Sequence, residues 1–223
     1  MSLPDAPEHR VSHRAAQTGR YYRLRMADPD RSAVAPCAGV VLAAGAGTRY
    51  GKPKVLAEGG AWLRATVTAL RDGGCDPVIV VLGATGPTPR IVELPPGVRH
   101  VWAADWATGL SASLRAGLIA ASSTPARYAA IMPVDTPDVG ADVVARVLNA
   151  ALAAPSGLAR AVFHNTPGHP VVIAHKHWNA VCGAAAGDSG ARTYLTGRDD
   201  MVCVTCDDLA TGVDRDFPAT TAR

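Results

Sequence analysis

Arg49, Lys52 and Lys54 stand among and just after Gly45, Gly47 and Gly51, and this cluster follows the apolar run Val40-Val41-Leu42-Ala43-Ala44. Glycine permits positive φ and lets main-chain N–H groups come close to an anion, so such a turn forms a phosphate-binding concavity. Arg49 and Lys54 would add side-chain charge to it. The chain has 22 basic residues, but its lysines are Lys52, Lys54 and Lys176, so two of these three fall in the loop. A compact ammonium at that point suits a phosphate. The competing reading, a solvated basic loop, does not explain why glycines and cations coincide after a strand.

Spacing separates the known glycine loops. A Walker loop needs G-x-x-x-x-G-K-[ST]; here Gly47 lies four before Gly51, and Pro53 follows Lys52, so no hydroxyl is placed for a metal. A dinucleotide fingerprint needs a third glycine opening a helix. Tyr50 stands there instead, and Pro53 disfavours a helix starting at Thr48. What remains is L-A-A-G-x-G-x-R-x-G-x-P-K.

Carboxylates supply the second group of candidates. Pro133-Val134-Asp135-Thr136-Pro137-Asp138 sets Asp135 at the end of a buried strand, where an unpaired charge is costly and calls for a cation. As a cap for a helix starting near Ala141 it is less suited than Asp138 or Asp142. Asp214-Arg215-Asp216-Phe217-Pro218 adds two late carboxylates; the competing reading is a solvated acidic loop. Gly109-Leu110-Ser111-Ala112-Ser113-Leu114-Arg115 places hydroxyls at a helix start, with Ser111 as its cap. His175 and His177 are two apart and do not share a helical face, which argues against a metal cluster. His169 is a candidate hydrogen-bond donor to a ligand. Cys203-Val-Thr-Cys206 lacks a second ligand pair and a helix behind it, so Met201 to Cys206 reads as a short buried strand. No G-x-S-x-G elbow for a covalent nucleophile occurs.

These residues need a scaffold, and from Ala38 onward buried runs alternate with helical periods, the signature of an α/β fold. Strands are predicted at Val40 to Ala44, Val78 to Leu82, Val98 to Ala103, Tyr128 to Val134 and Met201 to Cys206. Two more are predicted within Leu158 to Ile173, split by the turn Asn165-Thr166-Pro167-Gly168. Helices are expected around Trp62 to Leu70, ended by Gly73-Gly74, around Leu110 to Leu118, over Val143 to Leu152, and through most of 175 to 197. The expected architecture is a three-layer sandwich on a mainly parallel, Rossmann-like sheet, with the antiparallel pair at its edge. In such sheets ligands bind beyond the carboxyl ends of the strands, which brings the glycine loop and Asp135 to one crevice.

Composition bounds the rest. A chain of 223 residues with 48% hydrophobic content fits a single domain, expected over 36–223. Residues 1–35 are rich in Arg, Pro, Asp and Ser and read as a flexible extension without a secretory core. The formal charge of +3 is modest, and no basic face with interleaved aromatics points to nucleic acid. No apolar run is long enough to span a membrane, and five cysteines without framework spacing fit reduced thiols. A soluble, cytoplasmic protein is expected.

The glycine motif from Leu42 to Lys54 resembles the signature of the MobA-like nucleotidyltransferases, which move a nucleoside monophosphate from an NTP to a phosphorylated acceptor. Gly109 to Leu114, Gly168-His169-Pro170-Val171-Val172-Ile173 and Gly187-Asp188-Ser189-Gly190-Ala191-Arg192 resemble segments of its MocA branch, the molybdenum cofactor cytidylyltransferases. The matches run from Val40 to Pro218. The resemblance implies a fold of the nucleotide-diphospho-sugar transferase type. It also implies a nucleotide site at Leu42, Ala43, Ala44, Gly45, Gly47, Arg49, Lys54 and Ser111, with Arg49 and Lys54 catalytic. Mg2+ would be held by Asp135 and by Asp216, although Phe217 stands where the family has Thr and the acid usual after the proline is missing. His169 and Asp188 would bind the acceptor. The implied substrates are an NTP, CTP favoured, and molybdopterin cofactor, with an apo molybdenum hydroxylase as a further partner. A methyl at Ala44 would crowd a purine. GMP transfer, another acceptor such as a sugar phosphate or phospholactate, and a non-catalytic cofactor carrier remain the alternatives.

Overall fold

The computed structural model describes residues 36–217; the extension expected over 1–35, and Pro218, lie outside them. The first half alternates strand and helix: β1 (Cys37–Leu42), α1 (Ala61–Asp72), β2 (Val78–Leu82), β3 (Arg99–Trp102), α2 (Leu110–Ser122), β4 (Tyr128–Pro133) and α3 (Ala141–Ala153). β5 (Leu158–Phe163) and β6 (Thr166–Ala174) form a hairpin, followed by the short helices α4 (Trp178–Ala184) and α5 (Arg192–Leu195) and by β7 (Val202–Thr205). The strands form a seven-stranded sheet in the order β3-β2-β1-β4-β6-β5-β7. β6 is antiparallel to β4 and β5, and every other pairing is parallel.

Burial explains the layering. β1 and β2 are buried along their whole length, as strands covered on both faces must be. One face packs on α1 and α3 through Leu63, Leu70, Val143 and Val147. The other packs on α2 and α4 through Leu114, Leu118, Trp178 and Val181. This is the three-layer, mainly parallel α/β architecture that the alternation predicts.

Three details differ from the sequence expectation. The hairpin turn is His164-Asn165, with φ of 48° and 60°, values that a two-residue turn between right-twisted strands requires; Thr166, Pro167 and Gly168 belong to β6. The antiparallel pair is not at the edge, because β7 adds outside β5. β7 itself is the edge, and its residues are largely exposed rather than buried. As expected, most of 175 to 197 is helical, in short pieces.

Close approach rather than side-chain packing sets the end of β2. A Cβ on Gly83 would lie 2.5 Å from the Ala44 carbonyl oxygen, 2.6 Å from Trp106 Cβ and 2.7 Å from Ala44 Cβ. Gly83→Ala is expected to cost about 1–3 kcal/mol, the usual range for overpacking, seen as a lower denaturant midpoint. Gly45→Ala should leave the midpoint nearly unchanged, since nothing lies within 4 Å of a Cβ built there.

Candidate active site

β1 ends at Leu42, and the chain then leaves the sheet into the glycine loop. Gly47 has φ of +63°, and any side chain there would overlap the Lys52 carbonyl; Gly51 N–H closes the turn onto the Gly47 carbonyl at 2.8 Å. Pro53 then starts a 3-10 turn over Lys54–Gly60. That geometry directs Lys54 back over the sheet. Its ammonium donates to Asp135 Oδ2 at 2.6 Å and to Asp216 Oδ1 at 2.8 Å. Arg49 Nη1 donates to Asp216 Oδ2 at 3.0 Å. Two carboxylates, one just beyond β4 and one well past β7, therefore share two cations from the loop.

The electrostatics follow from burial. Lys54 and Asp135 side chains are 15% and 17% exposed, whereas Arg49 is 70% exposed. Lys54 is thus not the free surface cation that a loop position implies, although Arg49 is close to one. Burial alone would lower the Lys54 pKa, but the hydrogen bonds to Asp135 and Asp216 outweigh it and raise it. The Lys54 ammonium lowers the Asp216 pKa in turn. Burial, reinforced by the charges of Asp135 and Asp216, raises the Asp214 pKa.

The segment carrying Asp214 and Asp216 is tied down from several sides. Asp138 Oδ2 accepts from Thr211 N at 2.8 Å, Thr211 Oγ1 at 2.6 Å and Gly212 N at 3.1 Å. Arg215 N donates to the Asp135 carbonyl at 3.0 Å. Gly212, at φ of +64°, lies so close to the Phe163 ring that no side chain fits. Asp138 therefore clamps this segment rather than capping α3, whose first turn follows Gly140 without a side-chain cap.

Two cavities open beside these segments, one along the glycine loop and one along the strap that carries Asp214. A 340 Å³ cavity is lined by the loop from Ala44 to Thr48 and by Trp106, Gly109 and Ser113. A 510 Å³ cavity is lined by Ile131, His169, Asp214, Arg160 and Arg192 among others. Leu42, Leu110 and Asp188 line both. Asp188 Oδ1 accepts from Leu110 N at 3.2 Å, so this carboxylate sits on the N-terminus of α2 where negative charge is favoured. Gly109 makes the approach possible, since a Cβ there would lie 2.5 Å from the Gly187 backbone.

Asp135 Oδ1 is buried without a hydrogen-bond partner. An unpartnered carboxylate oxygen with a second carboxylate close by is a donor set that suits a hard divalent cation, which takes one or two carboxylates and completes its shell with phosphate and water. Among the described residues no group of three His, Cys, Asp or Glu is arranged to hold a metal ion.

Residues 39–202 match the MobA-like NTP transferase domain. The chain belongs to that family. It is accordingly a nucleotidyltransferase by family. It is similar to nicotine blue oxidoreductase of Paenarthrobacter nicotinovorans, 32% identical over 193 residues, which cover 81% of this chain and 93% of the relative. The crystal structure of Rv0371c from Mycobacterium tuberculosis is 25% identical, with a TM-score of 0.69 over 82% of this chain and 94% of the other. A manganese complex of Rv0371C matches at 25% identity and a TM-score of 0.64, over 81% and 94% of the two chains. A nucleotidyl transferase of Methanothermobacter shares the fold at 21% identity, with a TM-score of 0.66 over 82% and 92%.

On this MobA-like scaffold, Leu42, Ala44, Gly45 and Gly47 line the smaller cavity, and Arg49, Lys54, Asp135 and Asp216 come together. Ala43 faces the opposite core. Ser111 does not cap α2; it is the second residue of the helix, buried, and accepts from Arg115 at 3.4 Å. Ser113, on the next face, lines the cavity instead. The Ala44 methyl is buried against Gly83, with Ala44 3% exposed, so crowding of a purine by that methyl is not supported. His169 is half-buried, with Nδ1 3.3 Å from the Ile131 carbonyl; burial lowers its pKa, which favours a neutral imidazole at the wall of the larger cavity. His177 bonds Ser156 and Tyr194 and is structural. Sequence reasoning did not assign Trp106, Ser113, Arg160 or the clamp by Asp138. Only Ser113 had a local signal, as the second hydroxyl of its motif.

Replacing Asp138 by Ala removes the acceptor of three hydrogen bonds. Trypsin cleavage after Arg215 is then expected to be at least about tenfold faster than in the wild type, since local opening loses on the order of 1–3 kcal/mol. Far-UV circular dichroism should be unchanged. Equal cleavage rates would show that Asp138 does not hold the segment.

Proposed function

We propose that the chain is a Mg2+-dependent nucleotidyltransferase that moves CMP from CTP onto molybdopterin cofactor and releases pyrophosphate. The reading rests above all on the ion pairing of Lys54 and Arg49, which the glycine loop carries, with Asp135 and Asp216, and on the cavity that this loop walls. The smaller cavity takes the nucleotide, with Gly45 and Gly47 exposing main-chain N–H groups to its phosphates. The larger takes the acceptor, with His169 and Asp188 in its wall.

The transfer needs little covalent chemistry from the protein. An oxygen of the acceptor phosphate attacks the α-phosphorus, a phosphoanhydride bond forms, and the bond to the leaving pyrophosphate breaks. That oxygen is already anionic, so no general base is required. Lys54 and Arg49 hold the two anions together and offset the charge of the transition state, which is catalysis by positioning and electrostatics. Asp135 and Asp216, with Asp214 close by, would hold Mg2+, which would supply further positive charge to the phosphates.

A second reading takes its support from the name of the relative, nicotine blue oxidoreductase, whose similarity covers 93% of its own length. Redox chemistry on such a compound would occupy the same larger cavity. Pyrophosphate release from CTP with molybdopterin cofactor supports the transferase; turnover of nicotine blue without pyrophosphate release supports the alternative.

Charge-assisted contacts to phosphate contribute about 2 kcal/mol each, or about 30-fold in rate. Arg49→Ala is expected to lower kcat/KM for CTP by about that factor, and Lys54→Ala by about 100-fold because its ammonium is largely buried. Asp135→Asn should abolish activation in a metal titration, and Asp216→Asn should weaken it less. Near wild-type turnover in Lys54→Ala would remove the loop from the phosphate site. At equal concentrations CTP should be used faster than GTP; the reverse would replace CMP transfer by GMP transfer and leave the enzyme class intact.

A further inference from the structure

The larger cavity carries charge that nucleotidyl transfer does not use. Arg160 lies in β5, two residues after Leu158, and so faces the same layer as that residue. It lines the cavity together with Arg192 at the start of α5. Its Nε is buried without a hydrogen-bond partner. Burial lowers the Arg160 pKa, and nearby Arg192 adds to the lowering against an opposing effect of Cys203; even so, guanidinium remains charged in proteins. Asp188 in the cavity wall accepts from the α2 N-terminus. Among the described residues neither Arg160 nor Arg192 is ion-paired with an acid. Arg192 is exposed at the cavity rim, whereas the buried, unpartnered Nε of Arg160 is costly until an acceptor arrives.

We propose that Arg160 and Arg192 anchor the acceptor by binding a second anionic group, remote from the phosphate that is joined to the nucleotide. Arginine's fork of donors suits an oxygen-rich anion. The acceptor role rests on the nucleotidyltransferase reading, whereas the anion site itself does not. The class of acceptor selected carries two separated anions, one at Lys54 and one at Arg160. Molybdopterin cofactor, with an oxo-molybdenum dithiolene distant from its phosphate, meets this requirement. A sugar phosphate whose other groups are neutral hydroxyls does not.

Steady-state kinetics with CTP and molybdopterin cofactor test the acceptor role. Arg160→Gln and Arg192→Gln should each raise the acceptor KM at least about tenfold, which corresponds to about 1.4 kcal/mol. The KM for CTP should stay within about twofold, and Arg160→Lys should recover part of the loss. Thermal midpoints should not fall, since a purely structural arginine would lower them without this KM split. An unchanged acceptor KM in both variants overturns the proposal while transfer itself stands. If the wild type forms no pyrophosphate, the transfer reading fails, and calorimetric titration with inorganic phosphate decides the anion site by itself. Phosphate should bind the wild type and Lys54→Ala but lose one site in the Arg160→Gln, Arg192→Gln double variant. Identical binding by wild type and double variant overturns the anchor.

Discussion

Lys54 stands between carboxylates that lie 81 and 162 residues away in sequence, and most of the architecture around the crevice serves to bring those three groups together. Without the ammonium, Asp135, Asp214 and Asp216 would form a cluster of like charge in a poorly solvated place, where such repulsion is severe. With it, each segment has a partner that fixes its position. The glycine turn delivers the cation, β4 delivers one carboxylate, and the strap from Thr211 to Asp216 delivers the other. A buried pair of this kind is not an efficient source of stability. Its place beside the glycine loop fits the binding of an anion better than it fits a role in stability.

Close backbone approach is the second constraint, and it recurs at each border of the crevice. Gly83 lets Ala44 and Trp106 meet, Gly109 lets the 187–188 turn reach the start of α2, and Gly212 lies flat on Phe163. At each of these points a methyl group would displace a wall of a cavity. Small residues here therefore control the shape of the binding space without contacting a ligand, because packed interiors transmit such changes instead of absorbing them.

The scaffold was legible from the sequence where one rule dominated. Val78 to Leu82 is an unbroken apolar run and forms β2 as expected; the glycine loop and Asp135 sit at adjacent carboxyl ends because β1 and β4 are neighbours. Legibility failed where two local readings competed or the partner was distant. Pro167 and Gly168 look like turn residues, but His164 and Asn165 take the positive φ values, since strand twist selects a two-residue turn. Met201 to Cys206 is apolar enough to be central, yet its strand, Val202–Thr205, is largely exposed at the edge because no strand among the described residues pairs beyond it. Asp138 resembles a helix cap, but its partners come from 211–212, a contact that no local pattern encodes. Ser111 and Ser113 lie on different helical faces, and only the packing of α2 shows which of them the crevice sees.

The sheet closes at Thr205, whereas Asp216 lies beyond it, after the last pairing strand. No ladder of the sheet holds this strap; its ties are the bonds to Asp138 and the Arg215 N–H bond to the Asp135 carbonyl. A segment held this way opens locally at a smaller cost than the sheet does. Opened there, the molecule keeps its core, its glycine loop and Asp135 but only half of the ionic bridge, so charge organisation at the crevice is lost before the fold is.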